Sequence, residues 1–373
     1  MKTFLLLFFS FYIFSCQGQL KTNDAIPLQE DAKKYTLETV VEGINNPWGM
    51  AFLPDGSMLV TEKSGILYHI RKGVKTEVKN VPKVYNRGQG GLLDIVLHPD
   101  YAKNGWIYIT YASSEGEGEG GNTKLIRAKL ENESLTQIES LYKCGPNTTK
   151  GQHFGSRIVF DRDGYLYFSA GERGEHFVNP QDIKRDNGKI YRLNADGSIP
   201  KDNPFVGQEN AKGAIYSYGH RNPQGLAINP VTGAVWEHEH GPQGGDEINI
   251  IKKGANYGWP VVTYGIDYDN STISKETQKP GIENPIYYWA PSIAPCGITF
   301  VTSDKYPDWK GHLLVGSLKF QYLELVKLDG DKVIGRQKIA TDIGRLRSVA
   351  QAPDGYIYIG VEGKGILKII PKI

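Results

Sequence analysis

The stretch from residue 218 to 259 carries a dense set of side chains that could do chemistry. It reads YGHRNPQGLAINPVTGAVWEHEHGPQGGDEINIIKKGANYGW, and its glycines and prolines exclude a helix. Arg221 and Asn222 precede a short apolar strand, and two histidines and several carboxylates follow it. Polar groups crowded into loops on both sides of a strand indicate a site that a rigid scaffold displays.

His153 is the candidate general base. It lies between Gly151 and Gly155 in the stretch GQHFGSRIVF, at the entrance of a predicted strand. An imidazole titrates near pH ~6.5, so it can take a proton from a substrate hydroxyl at working pH. Glu172, at the end of the next strand, is placed to hold the other ring nitrogen; the alternative is a plain turn carboxylate.

Cations and amides from three separate parts of the chain form a second candidate group. Taken singly, each is typical of a solvated surface charge. If they converge on one face, they would suit a compact ligand with several carboxylates, because guanidinium forks bind carboxylates at two points. The group consists of Arg221, Asn222, Lys319, Arg345 and Arg347.

The segment EHEHGP offers candidate metal ligands. Its His238 and His240 have the spacing of a zinc-binding pair, but oxygen ligands dominate the stretch, and hard oxygen sites favour calcium. The chain has no C-x-x-C motif that would support a thiolate zinc site. We therefore expect calcium rather than zinc.

The composition describes the scaffold as a turn-rich β protein. Among 373 residues there are 44 glycines, 22 tyrosines and 20 prolines, and long helical runs of Ala, Leu, Glu and Lys are missing. The net charge of +2 gives no field suited to nucleic acid or an anionic membrane. A small-molecule ligand is the expected partner.

A repeat appears when the turn signals are aligned. In each unit an apolar strand ends at a Pro or Asp turn, Gly supplies a positive φ, and an alternating aromatic or aliphatic strand follows. Because each hairpin leaves edges unpaired, radial stacking in a closed ring is expected, which predicts an all-β, six-bladed β-propeller. Five blades with a capping hairpin, or seven with one degenerate, are the alternatives. The six units cover residues 52 to 70, 96 to 113, 159 to 174, 227 to 241, 302 to 319 and 351 to 369.

Three segments divide the chain. Residues 1–16, MKTFLLLFFSFYIFSC, are typical of an export signal, too short to span a membrane, and the ending at Cys16 resembles a bacterial lipobox. Ordinary cleavage slightly downstream is the alternative. Residues 17–34 are polar and predict a flexible tether, and residues 35–373 form the propeller. We expect an exported protein, either periplasmic or a lipoprotein anchored to the membrane through Cys16.

Two further features of the sequence concern ring closure and the cysteines. The early strand at residues 35 to 44 belongs to no unit and could pair with the last unit to close the ring. The remaining cysteines, Cys144 and Cys296, are far apart and form no disulfide framework.

The candidate residues lie in motifs that resemble one known family. GQGGLLDI, HFGSR, YGHRNPQG, EHGPQGGDEIN, NYGWP, GSLK and the R-x-R of GRLRSV occur in family order over roughly residues 40 to 370. Each motif alone is a weak indication of a family, whereas the ordered set is highly specific. The chain resembles the soluble quinoprotein sugar dehydrogenases, in particular the aldose sugar dehydrogenases, which carry pyrroloquinoline quinone (PQQ) with calcium and fold as six-bladed propellers.

The resemblance implies a role for each candidate. His153 would remove the proton of the anomeric hydroxyl while hydride passes to the C5 carbonyl of PQQ, and Arg221 would polarise that carbonyl. The cofactor would be held by Gln89, Arg221, Asn222, Tyr268, Lys319, Arg345 and Arg347. One calcium would take the backbone oxygens of Gly241 and Pro242, and a second the Glu247 side chain and the Tyr257 carbonyl. The partners would be an aldose and an outside electron acceptor, a quinone or a cytochrome.

The chain also departs from the family pattern. Soluble glucose dehydrogenase pairs its histidine with Asp, where this chain has Glu172. Cys296 lies in a segment that resembles a rim strand, without an assigned role. Two other classes stay open at this level: a propeller that serves as a binding scaffold, since fold does not fix function, and a metal-dependent lactonase. A scaffold would not need His153, Arg221 and the distant cations together.

Overall fold

The structure, a computed structural model, describes residues 26–372. The predicted export signal and lipobox at Cys16 lie outside the described residues. Six antiparallel sheets of four strands follow one another around a central axis, and one of them gains a short parallel fifth strand. The prediction of an all-β, six-bladed propeller is confirmed, and the five- and seven-bladed alternatives are wrong.

The strands are numbered in chain order. Before the first blade lie β1 (Leu28–Gln29) and β2 (Tyr35–Val41). Blade 1 has β3 (Pro47–Phe52), β4 (Met58–Glu62), β5 (Ile66–Arg71) and β6 (Val74–Glu77); blade 2 has β7 (Leu92–Leu97), β8 (Trp106–Ser113), β9 (Asn122–Glu131) and β10 (Ser134–Lys143), with the short helix α1 (Tyr101–Asn104) between β7 and β8. Blade 3 has β11 (Ile158–Phe160), β12 (Leu166–Ala170), β13 (Lys189–Leu193) and β14 (Ile215–Tyr218); blade 4 has β15 (Pro223–Ile228), β16 (Val235–Glu239), β17 (Asp246–Ile250) and β18 (Tyr287–Trp289). Blade 5 has β19 (Pro295–Phe300), β20 (Leu313–Ser317), β21 (Leu323–Asp329) and β22 (Lys332–Ile339); blade 6 has β23 (Leu346–Gln351), β24 (Ile357–Val361) and β25 (Gly365–Pro371).

The turn in blade 1 shows how the repeat folds locally. The Leu53 N–H donates to the Ser57 carbonyl at 2.8 Å, and the Gly56 N–H donates back to the Leu53 carbonyl at 3.0 Å. Asp55 accepts a hydrogen bond from the Ser57 N–H at 2.9 Å. Gly56 has φ 82, a left-handed conformation that glycine adopts without steric cost. The Pro-Asp-Gly signal therefore sets a tight hairpin, as predicted.

Apolar side chains fill the gaps between neighbouring blades. Between blades 2 and 3, for example, Tyr108 and Leu125 pack with Phe168 and Tyr191. Similar clusters lie between each other pair of neighbouring blades. Each sheet thus buries its faces against its neighbours, which is the burial that a single hairpin cannot provide.

The two ends of the chain close the ring. β2 pairs antiparallel with β25, with Tyr35 opposite Pro371, and becomes the fourth strand of blade 6. This confirms the prediction for the early strand. Within the predicted tether, β1 pairs in parallel with β22 of blade 5, with Leu28 opposite Arg336. Among residues 26–372, no helix has the length and apolar character required to cross a bilayer.

The blade topology brings two kinds of loop to one face of the propeller. In an antiparallel sheet, the chain enters the first strand and leaves the second at the same end. The first strands of successive blades pack against one another around the axis, and β23 contacts β3. The loops before these inner strands and after the second strands therefore surround the same end of the axis. We call this end the entry face.

Candidate active site

Most of the predicted residues lie in the two kinds of loop that surround the entry face. Gln89, His153 and Arg221 precede the inner strands of blades 2, 3 and 4, and Glu172 and Lys319 follow the second strands of blades 3 and 5. Arg345 and Arg347 flank the first residue of β23 in blade 6. Residues far apart in sequence thus lie around one opening because each blade contributes the same two loops.

His153 and Glu172 are in direct contact. The imidazole Nδ1 forms a short hydrogen bond with Glu172 Oε1, and both side chains are buried. The His153 N–H donates to Gln89 Oε1 at 2.9 Å, so blade 2 helps to hold the backbone of the histidine. With Nδ1 donating to the carboxylate, Nε2 is left as the proton acceptor. The pair has the geometry of a base with its orienting acid.

The environment sets the protonation of this pair. Burial, followed by the charges of Arg221 and Arg173, holds the pKa of His153 well below 6.5. Burial raises the pKa of Glu172 to about 7, against the lowering effect of Arg221. The pair therefore takes up a proton as the pH falls through about 7. Above that pH the carboxylate accepts the Nδ1–H and Nε2 can act as a base.

The loop that carries His153 is held in an unusual conformation. His153 has φ 57, and a Cβ on Gly155 would lie 2.7 Å from the Gly171 nitrogen. The buried Arg173 guanidinium donates to the carbonyls of Gln152 and, at 2.6 Å, Lys150. Strained backbone of this kind persists where the surroundings fix it, and here it holds the imidazole against Glu172.

Arg221 is fixed by its own loop and by the next. Nη1 donates to the carbonyls of His240 at 3.1 Å and Gly241 at 2.8 Å. The guanidinium carbon lies 5.2 Å from the centre of the Trp259 ring, a cation–π distance. Its Nε is buried and has no hydrogen-bond partner among the described residues. Arg221 is therefore a preorganised cation beside the His153–Glu172 pair.

Asn222 presents an unused donor. Its Oδ1 accepts a hydrogen bond from the Gly155 N–H at 3.1 Å, which fixes the amide orientation. Its Nδ2 is buried and has no partner within residues 26–372. A buried amide N–H without a partner costs free energy, so the unsatisfied donor is consistent with a polar ligand that binds at this position.

The blade 6 cations are arranged around one carboxylate. Arg345 Nε donates to Glu362 Oε2 at 2.9 Å, and Arg347 Nε donates to Glu362 Oε1 at 3.1 Å. Arg345 is exposed and Arg347 half-buried. Lys319 is exposed, and its N–H donates to the Ile293 carbonyl at 3.1 Å. Lys319 and Arg345 face solvent at the opening, where an anionic ligand could reach them, and Arg347 shares Glu362 with Arg345.

Tyr268 does not join the group. Its side chain is 68% exposed, and its backbone N–H donates to Asp267 Oδ1 at 2.7 Å. The loop that carries Tyr268 nevertheless contacts the loop after Gly241, because Gln243 Nε2 donates to the Asp267 carbonyl at 2.7 Å. The structure gives Tyr268 no contact with the other predicted residues that the described chain includes.

Asp246 organises the loop that contains Gly241 and Pro242. Its Oδ1 accepts the Gly241 N–H at 2.8 Å, and its Oδ2 accepts the Ser292 hydroxyl at 2.6 Å and the Ile293 N–H at 2.7 Å. A Cβ at Gly241 would lie 2.2 Å from the Gly244 carbonyl oxygen, so the turn requires glycine. The backbone oxygens predicted to bind calcium thus belong to a rigid loop, and oxygen donors suit that ion.

A second oxygen-rich site is built from acidic residues of β16 and β17. Glu239 lies directly opposite Glu247 across the sheet. The ligand atoms of His220, Glu237 and Glu239 lie within 4.8 Å of one another, and all three residues are buried. Burial, followed by the charge of Glu239, raises the pKa of both Glu237 and Glu247. Such a set of buried carboxylates fits a bound cation, which would offset their repulsion.

This acidic cluster adjoins the predicted ligands of the second calcium. A small cavity is lined by Glu239, Glu247 and Tyr257, and the Tyr257 ring stacks on His220 with 4.7 Å between ring centres. Glu247 and Tyr257 were predicted for this ion, whereas Glu237 and Glu239 were recognised only as oxygen donors of EHEHGP and were not assigned to it. Strand alternation was the available signal, since Glu237 and Glu239 are two residues apart and share one face of β16.

The histidines of EHEHGP point to the other face of the same strand. His238 Nε2 lies 3.2 Å from the Gly297 carbonyl oxygen, and His240 Nε2 lies 2.7 Å from that of Pro295. Burial lowers the pKa of each to about 3, which keeps both imidazoles neutral at pH 7. Each ring therefore links blade 4 to β19 of blade 5.

Comparisons with known proteins point to one family. The model of the glucose/sorbosone dehydrogenase family matches residues 44–368. Aldose sugar dehydrogenase YliI of Escherichia coli K12 is 41% identical over 346 residues, 90% of this chain and 93% of that protein. Quinoprotein glucose dehydrogenase B of Acinetobacter calcoaceticus is 34% identical over 260 residues, 62% of this chain and 53% of that protein. The PQQ-bound aldose sugar dehydrogenase of Streptomyces coelicolor superposes with a TM-score of 0.76 at 29% identity, covering 91% of this chain and 99% of that one.

Proposed function

Because the chain belongs to the glucose/sorbosone dehydrogenase family, we propose that it oxidises the C1 hydroxyl of aldoses to the lactone with PQQ and calcium. The two relatives described above are named as sugar dehydrogenases, so it is an oxidoreductase of the PQQ type rather than a scaffold or a lactonase. The observation that supports oxidation at the C1 hydroxyl is the buried His153–Glu172 pair beside the preorganised Arg221.

The residues of the entry face fit such a cofactor. The partnerless amide of Asn222 and the cations of blades 4, 5 and 6 suit a flat ligand with several carboxylates. Gln89, Arg221, Asn222, Lys319, Arg345 and Arg347 would hold it. Tyr268 would have to turn inward to take part. When bound, PQQ supplies the carbonyl that accepts hydride, the step that protein side chains cannot perform.

The protein supplies the base and the positive charge. His153 Nε2 takes the proton of the C1 hydroxyl, and Glu172 holds Nδ1 and stabilises the imidazolium that forms. Arg221 is a fixed cation beside this pair and would stabilise negative charge that develops opposite the sugar. Since the hydrogen bond to the His240 carbonyl and the contact with the Trp259 ring already fix its position, this stabilisation needs no reorganisation during the reaction.

Calcium would occupy two places. Backbone oxygens of Gly241 and Pro242 would bind one ion beside the cofactor, with Asp246 holding their loop. The acidic cluster with the Tyr257 carbonyl would bind the second, which would be structural. The chemistry of the donors supports both, because the proposed protein ligands are backbone and carboxylate oxygens apart from the His220 nitrogen.

The proposal is tested on purified protein from which calcium and PQQ have been removed. PQQ and calcium are added together and separately, and dye reduction is followed with a panel of aldoses. We expect activity only with both additions, and lactone as the product. No PQQ binding and no activity with any sugar would disprove the proposal. In the cell, a quinone or a cytochrome would accept the electrons, and the predicted signal would place the enzyme in the periplasm or at the membrane.

A further inference from the structure

A buried polar cluster lies on the axis beneath the entry face. At its centre, the Arg157 side chain of blade 3 reaches all five other blades and is only 7% exposed. Its guanidinium contacts Trp48 O at 3.1 Å, Asp94 Oδ1 at 3.2 Å, Gln224 O at 2.8 Å, Cys296 Sγ at 3.5 Å and Arg347 O at 3.0 Å. We call Arg157, Gln224, Cys296 and Arg347 the axial cluster.

Within the axial cluster, Cys296 is joined to Arg347 by two contacts. Its Sγ–H donates to the Arg347 carbonyl at 3.0 Å, and Arg347 Nη1 donates to the sulfur at 3.6 Å. The thiol is fully buried, and a register shift in the pairing of β19 falls between Cys296 and Ile298. The sulfur thus contacts both the main chain and the side chain of one arginine.

Arg347 is held on two edges as a result. Glu362 accepts from Nε and Nη2 on one edge of the guanidinium, and Cys296 accepts from Nη1 on the other. Each terminal nitrogen of a guanidinium carries two N–H groups, so a second donor on Nη1 and on Nη2 is left for a ligand. A guanidinium group fixed in this way loses less conformational freedom when it binds a carboxylate.

The cluster also reaches the other side of the opening. Cys296 Sγ lies 3.6 Å from Gln224 Oε1, and Gln224 Nε2 lies 3.4 Å from Asn222 Oδ1. Asn222 is the residue whose Nδ2 is buried without a partner in the described chain. One buried network therefore supports two ligand-facing groups from blades 4 and 6.

We propose that Cys296 is a positioning residue that orients Arg347 for the carboxylates of the cofactor. The inference rests on the proposed function, because it concerns how PQQ is held. Cys296 would not touch the cofactor or the reacting atoms; its effect would pass through Arg347. The role depends on the combined contacts of the axial cluster, and no chemical reactivity of the thiol is involved.

The test compares Cys296→Ala and Cys296→Ser with Cys144→Ala. Cys144 is also fully buried, but it lies between blades 2 and 3, with its sulfur 3.7 Å from the Tyr191 hydroxyl. The dissociation constant of PQQ is measured by absorbance titration in the presence of calcium, with folding checked by circular dichroism. We expect Cys296→Ala to weaken PQQ binding by about two- to tenfold, the scale of one lost hydrogen bond. Cys296→Ser should recover part of the loss, and Cys144→Ala should bind as the wild type does.

A double-mutant cycle tests whether the effect passes through Arg347. In the Arg347→Ala background, Cys296→Ala should cause little further loss of affinity, because coupled residues are not additive. Full additivity, unchanged binding by Cys296→Ala, or an equal loss in Cys144→Ala would overturn the inference while leaving the proposed function in place. Absence of PQQ binding by the wild-type protein would overturn both.

Discussion

The Glu172 N–H donates a hydrogen bond of 2.9 Å to the Arg221 carbonyl. This bond joins the loop that leaves the second strand of blade 3 to the loop that enters blade 4. One loop carries the residue that orients the proposed base, and the other carries the proposed cation. Their relative position is therefore set by main-chain contact, which side-chain motion does not disturb.

Replacing His153 with Gln should abolish turnover without preventing cofactor binding. Glutamine keeps polarity and approximate size but cannot take the proton, so we expect a rate at least about 10²-fold lower. Steady-state dye reduction and PQQ titration measure the two effects separately. His98→Gln, at the opposite end of blade 2's inner strand, serves as the control. A fully active His153→Gln enzyme would show that another group is the base.

The pH dependence should report the His153–Glu172 pair. Because burial raises the pKa of Glu172 to about 7, the pair gains its proton as the pH falls through about 7, and kcat/KM should fall with it. In Glu172→Gln only the imidazole titrates, and its pKa is held well below 6.5. The acid limb of the variant's kcat/KM profile should therefore move to lower pH, although the rate of the variant is reduced. An unshifted limb would exclude Glu172 from the titration.

Calcium should stabilise the protein through the acidic cluster of blade 4. A ligand at 100 times its dissociation constant adds about 2.7 kcal/mol to the free energy of unfolding. Glu247→Gln removes a half-buried carboxyl group that faces Glu239, so the calcium-free variant should be at least as stable as calcium-free wild type, but should gain less from calcium. Thermal unfolding with calcium and with chelator measures both. Glu38→Gln, at an exposed site on β2, is the control.

Ring closure should depend on the Tyr35 hydroxyl. It accepts a hydrogen bond from the Ala340 N–H of blade 5 and donates to Asp31. Tyr35→Phe leaves the buried Ala340 N–H without this partner, which should lower the free energy of unfolding by about 1–3 kcal/mol. Denaturant unfolding measures the loss. Because Tyr35 lies on the outer strand of blade 6, PQQ affinity should be unchanged, and a large loss of affinity would contradict a purely structural role.

Structural features that depend on a few neighbouring residues could be predicted from the sequence. The hairpin turns, such as the one at Gly56, follow from residue types over a few positions, and their repetition indicates six blades. The motifs around His153 and Arg221 could be recognised because each lies within a single loop. Their convergence on the entry face then follows from the repeat, since every blade presents the same two loops.

Contacts between distant loops could not be predicted in this way. Glu362 lies in an ordinary hairpin turn before Gly363, which gives no sign of a functional role. Its role becomes visible only when Arg345 and Arg347 contact it. Arg157 appears in sequence as part of HFGSR, whereas its partners extend from Trp48 to Arg347. Tyr268 was chosen through resemblance alone, and the structure places its side chain in solvent.

The pairing of β2 with β25 imposes an order on synthesis and folding. Tyr35 pairs with Pro371, so one of the first strands to be synthesised can pair only after one of the last has been made. Long-range pairing of this kind slows folding. Arg345 and Arg347 also belong to that final blade, and a polypeptide cut short before it would lack both the closing strands and these cations. Closure of the ring and completion of the entry face therefore both depend on blade 6.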